Sequence, residues 1–447
     1  MSAAPRPALI YTVPSWIVLL ISVNACFRTL PQVAASAAVA VLTTAWMLYG
    51  VWLTLGREDG HQQGQIKTQA HVPWGSLAMA TSVAMALAYL TGSRHDYPAY
   101  LRQWHVILDG SNPWLGTDNA YGMVHNLLAW SVQIHQLLPK LLFAALLVTT
   151  GAISAYAPLG VDDKTCDEQR YCLFLVFILS PFSLITVSIY ANNDILPAAG
   201  MVVAIIGVAA FTNAWIRFAS GGILAIGCMT KFYPIIIVLP LSFRGRKVDW
   251  TFLGGFAVTM AFLAAIAYGV WGKSIHSPLL YAALRRSRHL SIFNFLRNVI
   301  GIDLDRFSLV LMLAAFVTVL LFLVRKHAGP VIGSLLVFAA TLSFYKLGQQ
   351  QFFLFFFLVT PFAIRYLVSA TTVFTPQVMV AFLTWIGFLN WYQLEYSLTC
   401  SMLKGPAHQF RYWGGLFYFL FSALLAWMLF RAITAPETRR AESLDTP

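Results

Sequence analysis

Residues 74–116 read "WGSLAMATSVAMALAYLTG" and then "SRHDYPAYLRQWHVILDGSNPWLG", an apolar run followed by a polar stretch. Apolar runs recur along the chain, in which 59% of the 447 residues are hydrophobic and 10% are charged. A run of about 18 residues or more is long enough to cross the hydrocarbon of a bilayer. Unpaired backbone groups are costly in lipid, so each run must form either a helix or a strand of a closed barrel. The runs lack the alternation of apolar and polar residues that is typical of barrel strands, and they are therefore predicted to be helices. The sequence predicts an all-α polytopic membrane protein.

We predict about 11–13 transmembrane helices in one domain, 1–435, with a polar cytoplasmic tail at 436–447. A pair of helices is predicted at 8–55, and its first helix is expected to be retained because no small-residue cleavage site follows it. The loops 93–140 and 273–306 are predicted on the outer face. The predicted spans are 8–27, 33–55, 74–92, 141–160, 172–190, 195–213, 219–243, 250–272, 307–324, 329–345, 352–371, 376–395 and 412–431.

The cations are divided almost evenly between the two predicted faces, whereas cytoplasmic loops normally hold an excess of Lys and Arg. The short loop "RGRKVD" (244–249) and the basic tail still have the character of cytoplasmic segments. The outer face therefore holds its cations for another reason, and an anionic lipid substrate handled there provides one.

A break in the predicted span 219–243, near "TKFYP", is required to keep "RGRKVD" in the cytoplasm. Pro234 removes a backbone donor and disfavours helix at the preceding residue. Such interruptions occur inside membranes where they line a cavity. We expect Lys231 at the outer mouth of that cavity.

The polar stretch places Asp96 directly before an amphipathic, aromatic-rich segment. Apolar side chains recur there at helical spacing, with Arg102 and Asp109 on the other side, which predicts a helix lying in the membrane interface. Asp96 then occupies the N-cap position, and Pro98 lies in the first turn. Two interpretations stay open: Asp96 only caps the helix, or the cap also aims a catalytic carboxylate.

Four further polar clusters fall on the same predicted face. Each also has a purely structural explanation: a helix cap in "SIYANNDILP", a lysine reaching the interface in "KFYP", headgroup contacts in "YAALRRSRHLSIFNFLRNV" and a loop cap in "SFYKLGQQQFF". Their convergence on one face favours a common site. The residues singled out are Asn193, Asp194, Lys231, Arg285, Arg286, Arg288, His289, Lys346 and Gln350.

The motifs "DY…GxxPW", "SPF…SxxxNxD", "KxYP", "YxxxRRxxHxS" and "KxxxQQFFL…P" occur in this order over residues 93–361. They resemble those of the GT-C glycosyltransferases that use polyprenyl-phosphate sugars. The chain is especially similar to the catalytic subunit of GPI mannosyltransferase I and to bacterial polyprenol-phosphate-mannose-dependent mannosyltransferases. Arg94 stands where that family often has the first acid of Asp-x-Asp, so the need for a divalent metal stays open. Two helices precede the first loop where that family commonly has one, and the resemblance therefore implies that the pair at 8–55 is an N-terminal addition.

The resemblance implies a GT-C-like fold and the inverting transfer of a sugar, with mannose expected, from a polyprenyl-phosphate donor to a glycolipid or glycan acceptor. Asp96 would be the general base, with Asp194 in reserve. The donor phosphate would be held by Arg285, Arg286, Arg288, Lys231 and Lys346. The residues expected to contact the substrates otherwise are Tyr97, Trp104, Asn193, Asp194, His289 and Gln350.

We expect a protein of the inner (plasma) membrane whose active site faces the periplasm or exterior. Its expected partners are the two substrates and membrane lipids, with no nucleic acid and, apart from the open question of a metal, no cofactor. The five cysteines form no Cys-x-x-Cys pair and indicate neither a disulfide framework nor a metal cluster. The alternative function is a transporter or flippase of lipid-linked glycans, which also needs basic residues and broken helices; the one-sided clustering of polar groups favours the enzyme.

Overall fold

The computed structural model describes residues 74–115, 121–163, 165–244, 247–288, 290–370, 386–389, 392 and 407–434. The predicted helix pair at 8–55, the tail at 436–447, most of the predicted span 376–395 and His289 lie outside these residues.

The described chain is built almost entirely from helices. In the first half these are α1 Trp74–Leu90, α2 Tyr97–Leu108, α3 Met123–Leu127, α4 Ala129–Ile134, α5 Leu138–Tyr156, α6 Asp167–Ile178, α7 Pro181–Ser183, α8 Ile195–Ala210 and α9 Ala214–Cys228. In the second half they are α10 Val238–Ser242, α11 Trp250–Trp271, α12 Ser277–Leu284, α13 Ile292–Phe295, α14 Ser308–Lys326, α15 Pro330–Ser343, α16 Leu354–Ala370 and α17 Ala407–Thr434.

Shorter elements connect these helices. The π-helical and 3₁₀ segments are Leu184–Ile189, Tyr233–Ile237, Gly272–His276, Leu296–Ile300, Asp305–Phe307 and Gln350–Phe353. A two-stranded antiparallel hairpin, β1 Phe243–Arg244 and β2 Lys247–Val248, pairs Phe243 with Val248.

Within the described ranges, five helices are long and apolar enough to cross a membrane, or six when the bent pair Gln169–Ile178 and Pro181–Ile189 is counted as one span. This confirms the predicted all-α polytopic membrane protein. Four further predicted spans correspond to five apolar helices of 10–17 residues, because the predicted span 219–243 is divided between two of them. At about 1.5 Å per residue such helices are shorter than the ~30 Å hydrocarbon, so adjoining segments must complete the crossing. These shorter helices are Trp74–Leu90, Ile195–Ala210, Ala214–Cys228, Tyr233–Ser242 and Pro330–Ser343.

Helix α16 lies at the centre of the bundle, and α11 and α14 lie at its edge. In the segment Gln350–Ser369, which contains most of α16, 83% of the apolar window is buried, against 11% for the segments that contain α11 and α14. Helix α16 packs on α5, α6 and α8. The exposed apolar faces of α11 and α14 are therefore the surfaces that lipid would cover.

The predicted break near "TKFYP" is confirmed, because α9 ends at Cys228 and helical structure resumes only at Tyr233. In its first half α9 packs closely on the start of α11, where a Cβ on Gly255 would meet the backbone of Phe218. Beyond its end, Met229 packs with Ala267 near the end of α11. Since α9 and α11 run in the same direction, the segment between them must return to the end where α9 began.

The end of the bundle at which α9 and α11 begin carries closed ion-pair networks. Arg217 pairs with Asp249, and both side chains are buried. Asp163 pairs with Arg170 and with the buried Arg365 of α16. Because their charges are paired inside the fold, these groups stabilise the packing of the helices. A reactive site is therefore expected at the opposite end of the bundle.

The return of the chain makes a topological prediction. Lys247 and Lys273 flank α11 and both are exposed. Lys247→Cys should resist a membrane-impermeant thiol reagent in intact cells, whereas Lys273→Cys should react, provided that the native cysteines are first replaced by serine. Labelling of Lys247→Cys from outside would contradict the cytoplasmic placement of "RGRKVD"; equal labelling of the pair would contradict α11 as a span.

Candidate active site

Asp96 lies in the turn between α1 and α2, at the N-cap position of α2. Its backbone carbonyl accepts the N–H groups of Ala99 and Tyr100. Its carboxylate makes no capping hydrogen bond and instead lies 3.3 Å from Nδ1 of His95. The side chain is 40% exposed. The capping interpretation therefore does not account for the carboxylate, which is directed elsewhere.

The surroundings of Asp96 keep its carboxylate ionised. Burial raises its pKa, but the hydrogen bond and charge of His95 and the charges of Lys231 and Arg285 lower it, and the net direction is downward. Lys231 lies in the break after α9, and Arg285 lies in the segment after α12 that contains Arg285, Arg286 and Arg288, called the basic loop below. A carboxylate in this environment is an available proton acceptor at neutral pH.

The aromatic face of α2 points into the protein. Tyr97, Tyr100 and Trp104 are fully buried. The Tyr97 hydroxyl donates to the Gln136 carbonyl at 2.6 Å, and Trp104 Nε1 donates to the His125 carbonyl at 2.9 Å. The rings and polar atoms of Tyr97 and Trp104 are thus used in packing, and their expected contact with a substrate stays a prediction.

A buried polar network behind α2 includes His125, which the sequence analysis did not single out. Asn193 Nδ2 donates to His125 Nδ1 at 2.9 Å, and the Tyr100 hydroxyl donates to Asn193 Oδ1 at 3.3 Å. Burial and the charge of Lys231 hold the pKa of His125 well below its usual value. Asn193 is thus part of the scaffold and is fully buried. Its expected role as a substrate contact stays a prediction.

Asp194 and Lys231 form a buried ion pair. Asp194 is fully buried at the start of α8, and its Oδ2 lies 2.5 Å from Lys231 Nζ. The ammonium group also lies 5.4 Å from the centre of the Tyr121 ring and 5.7 Å from that of Phe352. Lys231 therefore interacts directly with Asp194 and with two aromatic rings. Its positive charge acts on Asp96 at longer range and lowers the pKa of that carboxylate.

The segment at the start of α3 is bound to the break after α9 by backbone hydrogen bonds. Gly122 N–H donates to the Thr230 carbonyl at 2.9 Å, and Val124 N–H donates to the Met229 carbonyl at 3.1 Å. A Cβ on Gly122 would collide with the Met229 backbone, so this approach requires glycine. The pairing places Tyr121 beside Lys231.

The three arginines of the basic loop are not equivalent. Arg285 is half-buried, and its guanidinium group lies 4.4 Å from the centre of the Tyr281 ring. Its charge acts on Asp96 and on Tyr345. Arg286 and Arg288 are exposed. The structure thus places Arg285 at the site and leaves the other two on its outer surface.

Two contacts hold the basic loop in place. Arg288 N–H donates to the Lys346 carbonyl at 2.9 Å, which joins the loop to the segment before α16. Asp305 Oδ2 accepts the Ser287 N–H and Arg297 Nη1, both at 2.8 Å. Two clusters that the sequence analysis treated separately are therefore one structural unit.

The other residues that the sequence analysis singled out, Lys346, Gln350 and Arg94, differ in how deeply they are buried. Lys346 is half-buried, and Gln350 is buried with its Oε1 lacking a hydrogen-bond partner. Arg94 is exposed beside the site. Among the described residues there is no group of three or more His, Cys, Asp or Glu side chains arranged to hold a metal ion.

Gly348 provides a test of the joined loops. A Cβ at this position would lie 2.6 Å from the backbone of Leu290 and Ser291, so Gly348→Ala must push the basic loop away. We expect a loss of about 1–3 kcal/mol of stability, seen as a lower unfolding temperature. The matched control is Gly269→Ala in α11, where nothing lies within 4 Å. A Gly348→Ala protein as stable as the control would contradict the close approach.

No family model matches the chain. Over 126 residues the chain is 31% identical to the disulfide bond formation protein B of Polaromonas naphthalenivorans (strain CJ2). The match covers 73% of that protein and 26% of this chain. The likeness is therefore to most of that protein but concerns a quarter of this one. Over this segment, and not over the rest of its length, the chain belongs to the same sequence family as disulfide bond formation protein B.

Proposed function

We propose that the protein is a membrane glycosyltransferase that moves a sugar, with mannose expected, from a polyprenyl-phosphate donor to a glycolipid or glycan acceptor. The observation that carries the proposal is the meeting of one ionised carboxylate, Asp96, with two fixed cations, Lys231 and Arg285, at one end of a membrane helix bundle. A phospholipid-linked sugar needs these two kinds of group: a base for the acceptor hydroxyl and cations for the departing phosphate.

The proposed reaction is a single displacement. The acceptor hydroxyl gives its proton to Asp96 as its oxygen forms a bond with the anomeric carbon of the sugar. The bond from that carbon to the phosphate oxygen breaks, and its electron pair leaves with the polyprenyl phosphate. Attack opposite the leaving group inverts the anomeric centre, and Arg285 balances the charge that develops on the phosphate.

We propose different roles for the cations of the site, because they differ in burial and in the groups that they contact. Arg285 is half-buried and acts on Asp96, so it is the first candidate for the phosphate. Lys231 supports it while paired with Asp194. Arg286, Arg288 and Lys346 belong to the outer surface of the same loops and would meet the donor or the acceptor on entry. This arrangement makes Asp194 a poor reserve base, because its Oδ2 is already bound by an ammonium group.

Disulfide formation is not proposed, although a segment of the chain is related to a protein named for it. In thiol–disulfide exchange a thiolate attacks one sulfur of a disulfide and the other sulfur leaves as a thiolate, so a protein that forms disulfides in this way needs a pair of cysteines that can approach each other. The cysteines at 26, 166, 172, 228 and 400 include no Cys-x-x-Cys pair. Of the described ones, Cys172 and Cys228 are buried.

Incubation of the purified protein, in detergent micelles, with radiolabelled polyprenyl-phosphate mannose and a lipid acceptor tests the proposal. An enzyme forms labelled glycolipid without a sealed compartment, whereas a transporter or flippase forms none and instead moves lipid across reconstituted vesicles. Absence of transfer with every donor sugar and acceptor tried, together with flipping in vesicles, would replace the proposal by the alternative.

Asp96→Asn gives the first prediction. It removes the proton acceptor with almost no change of shape, so turnover should fall by about 10²–10⁴-fold. Stability should change little in Asp96→Asn and also in Asp96→Ala, because the side chain makes no capping bond. Asp109→Asn, at the exposed end of α2, is the matched control. Wild-type turnover in Asp96→Asn, or a marked loss of stability in Asp96→Ala alone, would return Asp96 to a capping role.

Arg285→Ala gives the second prediction. Loss of a charge-assisted contact to phosphate should raise KM for the donor by about 10–100-fold. Arg286→Ala and Arg288→Ala are exposed neighbours in the same loop and should have smaller effects. If the three variants differ little from one another, Arg285 has no special place at the phosphate.

A further inference from the structure

Two uncommon backbone conformations flank the candidate site. His95 and Ala191 both have φ of +55°, and they are two of the three non-glycine residues with positive φ in the described part of the chain. One lies directly before Asp96, and the other lies three residues before Asp194. Left-handed non-glycine residues are rare and often mark places where a fold holds a functional group in a fixed direction.

The two segments that contain these conformations are bound to each other. The imidazole of His95 stacks on the ring of Tyr190, with 4.3 Å between ring centres and 14° between planes. Beneath this stack, the buried Lys140 ammonium donates to Thr91 Oγ1 and to the carbonyls of Gly92 and Ile189 at 2.7–2.8 Å. Lys140 therefore joins the approach to Asp96 to the approach to Asp194 and is not available to a substrate.

This frame fixes the direction of the His95 ring. Its backbone is in a left-handed turn, its face lies against Tyr190, and its Nδ1 lies 3.3 Å from Asp96 Oδ1. The contact leaves the second carboxylate oxygen of Asp96 for another partner. We propose that His95 is a positioning residue that holds the Asp96 carboxylate, through Nδ1, in the orientation needed to take the acceptor proton. This inference rests on the proposed function.

Other charged groups also face Asp96 and must be separated from His95 in any test. Lys231 acts from the break after α9 and Arg285 from the basic loop, and both lower the pKa of Asp96. Asp194, Tyr100 and Tyr121 are close enough to couple to it electrostatically. His95 is distinguished from all of them by a direct hydrogen bond, which contributes to the low pKa of Asp96.

A set of substitutions separates the hydrogen bond from the backbone turn. His95→Gly accepts the left-handed conformation without strain but removes the ring, whereas His95→Asn also tolerates that conformation and keeps a side-chain N–H donor. We expect kcat to fall at least about tenfold in His95→Gly with little change in donor KM, and to be partly restored in His95→Asn. The control is His105→Asn, an exposed histidine of α2, which should behave as wild type.

The pH profile gives a readout that a purely structural role would not change. Because the hydrogen bond and charge of His95 lower the pKa of Asp96, their removal should raise it. A base works above its own pKa, so the acid limb of kcat/KM should move to higher pH in His95→Gly. Transfer would be measured from about pH 3 to pH 8 for the wild type and the three variants.

Three outcomes decide the matter. A lowered kcat and a shifted acid limb in His95→Gly, with recovery in His95→Asn, supports the positioning role. If the wild type is active and the acid limb of kcat/KM is unshifted in His95→Gly, the positioning role is overturned. The proposed function is then unaffected. No transfer by the wild type overturns the proposed function, and the role of His95 falls with it.

Discussion

The buried ion pair between Asp194 and Lys231 is the interaction on which the rest of the site depends. Asp194 is fully buried, so either charge without the other would cost about 3–5 kcal/mol. The pair connects the start of α8 to the break after α9. Backbone hydrogen bonds from Gly122 and Val124 join the start of α3 to the same unit. A break in a membrane helix exposes backbone groups, and here those groups are satisfied by the neighbouring loop.

The two ends of the bundle use their charges differently. At one end Asp163 is held by two arginines and Asp249 by a third, so the carboxylates there are closed into packing networks. At the other end the Asp96 carboxylate is part-exposed and lies 3.3 Å from His95 Nδ1, while two cations act on it from other segments. Fixed opposite charges next to an accessible acceptor are the arrangement expected where charge develops during a reaction.

Much of the architecture could be predicted from the sequence because it follows from local properties. Apolar run length predicted the spans, and "KFYP" predicted the break, since proline and its preceding residue disfavour helix wherever they occur. The position of Asp96 before α2 was also predicted, from the spacing of the apolar residues and Pro98. The sequence pattern did not show which way a side chain faces, and so the aromatic residues of α2 were assigned to the interface although they are buried.

The missed features depend on contacts between distant segments. His125 follows a glycine-containing loop with no motif of its own, and its place beside Asn193 exists only in the folded chain. The difference between Arg285 and its two neighbours likewise arises from the loop before α16 and from Asp305. His95 is adjacent to Asp96 in sequence, yet only its left-handed backbone and its stack on Tyr190 distinguish it.

The most direct test of the account is a structure of the purified protein with polyprenyl-phosphate mannose bound. The account predicts that the phosphate contacts Arg285 and that the anomeric carbon lies within reach of an acceptor oxygen hydrogen-bonded to Asp96. Donor phosphate bound at the opposite end of the bundle, near Arg170 and Arg365, or separated from Asp96 by the intact Asp194–Lys231 pair, would contradict it.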